Sequence, residues 1–221
     1  MKSLRKFLGS YKSSIKQSVT RWFYINKLRQ SILIGRGVKI SKDFKFSEGI
    51  VIRDYVTIGA KVKLDSNVLI GSYVSLNNIT VGKNTHIEGG VKVTGYGKGK
   101  IVIGNDCYIG TNNILDWSEN ITIGNFVHIA GPSTGVWTHS SAAMCTNGIP
   151  LEDKSEKFRP TAPIIIESNT YIGGNCTIYP GVKIGHHAIV APNSAVTKNV
   201  KPYTLVGGVP AKFIKSLEND Q

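Results

Sequence analysis

The chain has 221 residues, enough for one ordinary domain or one short solenoid, and its 27 Lys and Arg against 14 Asp and Glu give a formal charge of +13. That charge favours an anionic partner or surface, but neither a nucleic-acid-binding module nor interleaved base-stacking aromatics accompany it, so no nucleic-acid partner is expected. No stretch is long and apolar enough to span a bilayer, the amino terminus lacks the apolar core and cleavage site of a secretory signal, and Cys107, Cys145 and Cys176, odd in number and without a CxxC pair, read as reduced thiols in a cytoplasmic protein.

Residues 1–30 are expected to form a basic amphipathic helix. Leu4, Phe7, Leu8, Tyr11, Ile15, Val19, Trp22 and Phe23 recur at three- and four-residue spacing, and the opposite face is basic, with no acid before Asp43. Two readings stay open for this helix. It caps the first coil or a neighbouring subunit, or it lies on anionic lipid and makes a peripheral contact at the inner face of the membrane.

From residue 31 an aliphatic residue followed by glycine returns at six-residue spacing. Ile34-Gly35, Ile58-Gly59, Ile70-Gly71, Val81-Gly82, Ile103-Gly104, Ile109-Gly110, Ile123-Gly124, Ile172-Gly173 and Ile184-Gly185 are the clearest copies. Such a fixed short period predicts an all-β solenoid, a parallel β-helix of triangular coils. Each coil is about eighteen residues, built from three short strands and three corners. The aliphatic residue fills the axis, and the adjacent glycine is expected to supply the unusual backbone angles of the corner. Residues two before the aliphatic, Cys107 and Cys176 among them, read as small interior side chains. No coil buries its apolar row alone, so stacking supplies the stability and the open ends need caps.

The frame slips by one near Asn78, is interrupted by the turn Gly95-Tyr96-Gly97-Lys98-Gly99-Lys100, and slips again around Ser118-Glu119-Asn120. It disappears over 133–163, which predicts a protruding inserted loop, and a long irregular insert in a compact repeat protein is usually functional. The repeat returns at Ile164 and runs through Val196. The solenoid is assigned to 31–207, and residues 208–221 are expected to form a short C-terminal capping helix and tail.

The run from Ile123-Gly124-Asn125 through Trp137-Thr138-His139-Ser140, then Ile172-Gly173-Gly174-Asn175, Pro180-Gly181-Val182-Lys183-Ile184-Gly185, Val196-Thr197-Lys198 and Gly208-Val209-Pro210-Ala211-Lys212, resembles the hexapeptide-repeat acetyltransferases. The resemblance is to the maltose/galactoside O-acetyltransferase type, which includes capsule and lipopolysaccharide acetyltransferases, and covers roughly the last hundred residues. It implies a left-handed coil, a homotrimer, and active sites between adjacent prisms with acetyl-coenzyme A as acyl donor along the groove.

By this resemblance His139 is the catalytic histidine. A sugar hydroxyl must lose its proton as it attacks a thioester, and an imidazole that titrates near neutrality suits a general base. The resemblance further places Gly174, Ala191, Thr197, Lys198, Lys212 and Lys215 at coenzyme A, with the Gly174 amide meeting the developing oxyanion and the lysines meeting phosphates. On the acceptor side it suggests Asp116. The family's acceptor asparagine has no match in frame, near Ile109-Gly110, and Asn112 or Asn113 is the substitute. Trp137 either stacks on a sugar or floors the insert. A covalent route through Cys145 would need a base holding its thiol.

The expected function is therefore acetyl-coenzyme A-dependent O-acetylation of a sugar or glycan, in a surface polysaccharide or its precursor, with no metal. N-acetylation of a nucleotide-linked amino sugar and a non-catalytic scaffold are the alternatives. A zinc-dependent carbonic anhydrase on the same prism would need three converging histidines, and the expected pair at five-residue spacing is missing.

Overall fold

The computed structural model describes residues 32–153 and 155–218. The helix expected over residues 1–30 lies outside the described residues.

Short strands of two or three residues repeat around three faces of a parallel β-solenoid of about ten turns, the architecture expected of a left-handed β-helix. The first face begins with Ile32–Ile34 and Ile50–Ile52, the second with Lys39–Ile40 and Thr57–Ile58, and the third with Lys45–Phe46 and Lys63–Leu64. Each strand pairs in register with its counterpart one coil on, as Ile32 with Ile50, Lys39 with Thr57 and Lys45 with Lys63. Edge strands expose unpaired N–H and C=O groups. Here each coil offers its edge to the next, as in Gly59 N–H to Leu76 O at 2.8 Å and Thr57 N–H to Val74 O at 2.9 Å.

The side-chain alternation of a strand sends one aliphatic row inward. Ile52, Ile70, Ile87, Ile109, Ile129, Ile172 and Val190 form that row on the first face, all buried. Burying each such side chain stabilises by about 1.5–3 kcal/mol. Small interior residues stand two positions earlier. Cys107 and Cys176 are buried there, and burial pushes both thiols above the ordinary cysteine range, as the structural reading requires.

The corners differ from the expected mechanism. The glycine after the aliphatic does not adopt positive φ. The left-handed residue comes three positions after the aliphatic, at Lys61 (φ 56°), Tyr73 (61°), Asn84 (54°), Asn112 (58°), Phe126 (56°), Asn175 (55°) and Asn193 (59°). Asparagine tolerates this region better than other non-glycine residues. The glycine answers to close stacking instead. A Cβ on Gly59 would lie 2.9 Å from Leu76 O, and one on Gly173 would lie 2.6 Å from Pro192 N.

The two ends of the frame also differ from expectation. The loop predicted over 133–163 starts later, because Gly135–Val136 is a strand of the second face between Ile114–Asp116 and Thr177–Ile178. Its stems then pair with each other through Ala162 N–H to Thr138 O at 2.9 Å and Ser140 N–H to Pro160 O at 3.2 Å. The loop carries a short helix, Ala142–Thr146, and a single turn, Glu156–Phe158. The expected C-terminal helix is a strand. Lys212–Ser216 pairs antiparallel with Thr204–Gly207, so the chain reverses and covers the end of the first face with its own backbone. The cap is thus a hairpin, which satisfies the exposed edge directly.

Candidate active site

Four residues meet at the edge between the second and third faces. Asp116 ends the strand Ile114–Asp116, one coil before Trp137 and Thr138, and its side chain is fully buried. A buried carboxylate is costly unless its oxygens are hydrogen-bonded. Here Oδ1 accepts from Ser118 N–H at 3.1 Å and Ser118 Oγ at 2.6 Å, and Oδ2 accepts from Thr138 N–H and Thr138 Oγ1, each at 2.9 Å. The fifth partner is His139, whose Nδ1 lies 2.6 Å from Oδ2. Burial pushes the Asp116 carboxyl up, but the hydrogen bonds from Ser118, His139 and Thr138 outweigh it and hold the group below the ordinary carboxylate range.

Asp116 is ionised and only accepts, so Nδ1 of His139 carries a proton, and in the neutral ring that tautomer leaves Nε2 as the acceptor. Ser118 Oγ, 3.2 Å from Nδ1, braces the ring from a second side. The His139 side chain is 30% exposed, enough to reach a substrate while one edge is held. The backbone fixes the ring as well, through a bridge between His139 and Thr161 across the loop stem. A fixed imidazole with a free Nε2 beside a buried carboxylate is equipped to take a proton from a hydroxyl or amine.

The glycine-rich turn makes room for this cluster. A Cβ on Gly95 would collide with Asp116 Oδ1 and lie 2.9 Å from Ser118 N, and Tyr96 N–H donates to Ser118 Oγ at 3.2 Å. Ser118 and Thr138, absent from the expected site, are its main supports. The signal for Ser118 is the slip in the frame at 118–120, directly after the strand that Asp116 ends.

The acceptor-side expectations need correction. Asp116 has no exposed surface and holds His139 rather than offering itself to a sugar. Asn113 is also fully buried. Its Nδ2 donates to Ile129 O at 3.1 Å and its Oδ1 accepts from Thr134 N–H at 2.7 Å, so it fills the axis of the coil. Trp137 is half-buried with its indole laid across Gly135, where any Cβ would strike Nε1.

The residues expected at coenzyme A occupy other places. Gly174 and Ala191 stack on the edge between the first and second faces, linked by Gly173 N–H to Val190 O and Asn193 N–H to Gly174 O, both at 2.9 Å. Thr197 and Lys198 are exposed on the same edge as His139, two coils on, after the strand Ala195–Val196. Lys212 and Lys215 are exposed on the terminal strand. One prism therefore holds Gly174 and His139 on different edges. Among the described residues, no group of three His, Cys, Asp or Glu side chains is placed to hold a metal ion.

Residues 163–198 match the family model described as bacterial transferase hexapeptide (six repeats). A chloramphenicol acetyltransferase of Escherichia coli is 35% identical over 117 residues, 52% of this chain and 51% of that protein. A putative acetyltransferase of Staphylococcus aureus is 36% identical over 75 residues, 34% of this chain and 38% of that protein. The chain thus spans about half, or less, of the length of these curated relatives. Among solved structures, AntD, an N-acyltransferase from Bacillus cereus in complex with dTDP and 3-hydroxybutyryl-CoA, superposes with a TM-score of 0.56 at 25% identity, over 74% of this chain and 84% of that one. The polySia specific acetyltransferase NeuO superposes with a TM-score of 0.53 at 24% identity, over 84% and 81% of the two chains, a likeness of fold.

Proposed function

We propose that this hexapeptide-repeat chain is an acetyl-coenzyme A-dependent O-acetyltransferase acting on a sugar hydroxyl, with His139 as general base. The observation that carries the reading is the 2.6 Å contact between His139 Nδ1 and the buried Asp116 carboxylate, which commits the imidazole to one tautomer. The two curated relatives, both named acetyltransferases, and AntD, an N-acyltransferase, support the reaction class.

In this reading Nε2 accepts the hydroxyl proton as the oxygen attacks, and the imidazolium is stabilised by Asp116. Acetyl-coenzyme A supplies the activated acyl group. Residues of this chain suit its parts. Lys198, Lys212 and Lys215 present exposed ammonium groups for its phosphates, Thr197 an exposed hydroxyl, and Gly174 a backbone amide for the oxyanion.

His139 and Gly174 stand on different edges, so a homotrimer, with one prism facing the next, would complete the site. The first face supports such an assembly. It turns Leu33, Val51, Leu69, His86, Tyr108, His128, Tyr171 and Ile189 outward in one column, an apolar and aromatic strip broken by two histidines, and such mixed strips suit an interface. A cytoplasmic location, with the acceptor a surface polysaccharide or its precursor, fits the thioester donor and the reduced cysteines.

The second reading is N-acylation of a nucleotide-linked amino sugar, favoured by the likeness to AntD. An amine needs the same proton acceptor, so the dyad serves either. One experiment separates them. The protein is incubated with acetyl-coenzyme A and a panel of hydroxyl and amino sugars, thiol release is followed, and the product is treated with alkali. An alkali-labile ester supports O-acetylation, an alkali-stable amide supports the second reading, and no thiol release with any sugar refutes both.

A further inference from the structure

The outward column of the third face begins with lysines. Lys45 pairs directly with Lys63 on the next strand, and Thr80, Val102, Thr122 and Ile165 continue the column. Lys61 and Lys100 stand on the edge beside it, and all four lysines are exposed. Together with Asn78 they line a groove of about 440 Å³, and Lys45 and Lys63 also border a second groove of about 380 Å³ on the same face.

Like charges directly opposite across strands repel, and proteins ordinarily relieve them with an acid. Among the described residues no carboxylate comes within ion-pair distance of Lys45, Lys63 or Lys100. Each groove is also lined by one acid, Asp43 in the first and Asp65 in the second. Asp43 is held by Ser41 Oγ at 2.5 Å and by Lys61 N–H at 2.7 Å, and Asp65 by Ser66 N–H at 2.7 Å. Residues 1–42 contain no acid at all, so the preceding segment has none to supply.

Lys61 and Lys100 occupy the same edge as His139, on coils below it. From the coil of Lys45 to that of His139 is five steps of the third face, from Lys45 through Lys63, Thr80, Val102 and Thr122 to Ile165. At about 4.8 Å per step this is about 24 Å, a straight track several sugars long.

We infer that the third face is a docking track for an acidic glycan, a polymer with regularly spaced carboxylates, laid lengthwise so that a distal sugar reaches His139. This deepens the proposed function and rests on it for the identity of the acceptor, but the binding itself does not require acyl transfer. The test uses the full chain without acetyl-coenzyme A. Labelled polygalacturonate oligomers long enough to cover the five coils are titrated into the wild type, Lys45→Glu/Lys63→Glu/Lys100→Glu, and Lys39→Glu/Lys92→Glu on the second face. The third-face variant is expected to bind at least about tenfold more weakly and the second-face variant as the wild type, with binding weakened by salt and not competed by dextran. If charge reversal alters the melting curve, the Lys→Gln triple variant takes its place. Undiminished affinity in the third-face variant, equal loss in the second-face variant, or tighter lysine-dependent binding to phosphatidylserine vesicles or an oligonucleotide would overturn the track. If thiol release fails with every sugar while lysine-dependent polymer binding persists, the acetyltransfer reading falls and the track stands.

Discussion

Asp116 concentrates the chemistry of this chain in one buried carboxylate. It fixes the tautomer of His139 while its other contacts hold Ser118 and Thr138 in place. Asp116→Asn puts an amide donor where N–H groups already point. We expect a stability loss of about 1–3 kcal/mol by denaturant titration. We also expect kcat to fall on the order of a hundredfold or more, with the KM for acetyl-coenzyme A unchanged, as for a general base left in the wrong tautomer. Retention of kcat would separate Asp116 from the reaction. The acid limb of stability follows from the same residue. The folded Asp116 carboxyl lies below the ordinary range, so its contribution is complete above the unfolded value and is lost as pH falls through the folded one. Glu167, held down to about 2 by Lys183 and His186, has the same sign on an exposed corner, where screening weakens it. Denaturant midpoints from neutral pH downward should therefore fall less steeply in Asp116→Asn than in the wild type. An identical slope would show that Asp116 is not a source of the acid sensitivity.

The strands and corners show what a six-residue period reveals. The inward row, the slips near Asn78 and Ser118, and the return at Ile164 are all legible, because each is a statement about which side chain faces the axis. The corner is not, since a backbone angle leaves no mark on hydrophobic spacing. Lys61, Tyr73 and Phe126 adopt positive φ although none favours it, held there by the ladders on either side. The terminal strand was missed for a related reason. Lys212-Phe213-Ile214-Lys215 carries helical propensity, and the unpaired edge of Thr204–Gly207 overrides it. Paired substitutions test the corner account by thermal or denaturant unfolding. Gly173→Ala should cost about 1–3 kcal/mol by pressing on Pro192, whereas Phe126→Asn should stabilise by about 1 kcal/mol by easing a left-handed residue. A Phe126→Asn variant no more stable than the wild type would contradict the left-handed corner at that position.

At the scale of the molecule, the site is legible in part. His139 announces itself by its place where the repeat opens. Its carboxylate partner does not, because Asp116 sits 23 residues earlier in sequence and meets the ring only through stacking of successive coils. The distribution of Gly174 and His139 over two edges predicts a trimer of the 24.0 kDa chain, measurable by sedimentation or light scattering. A monomer with full turnover would contradict it. The central claim is that an imidazole oriented by a buried carboxylate removes the acceptor's proton. Its most direct test is acceptor-dependent thiol release from acetyl-coenzyme A by His139→Ala, with donor binding measured in parallel. The account predicts a rate lower by about a hundred- to ten-thousandfold at unchanged donor affinity, and a variant that turns over at the wild-type rate would contradict it.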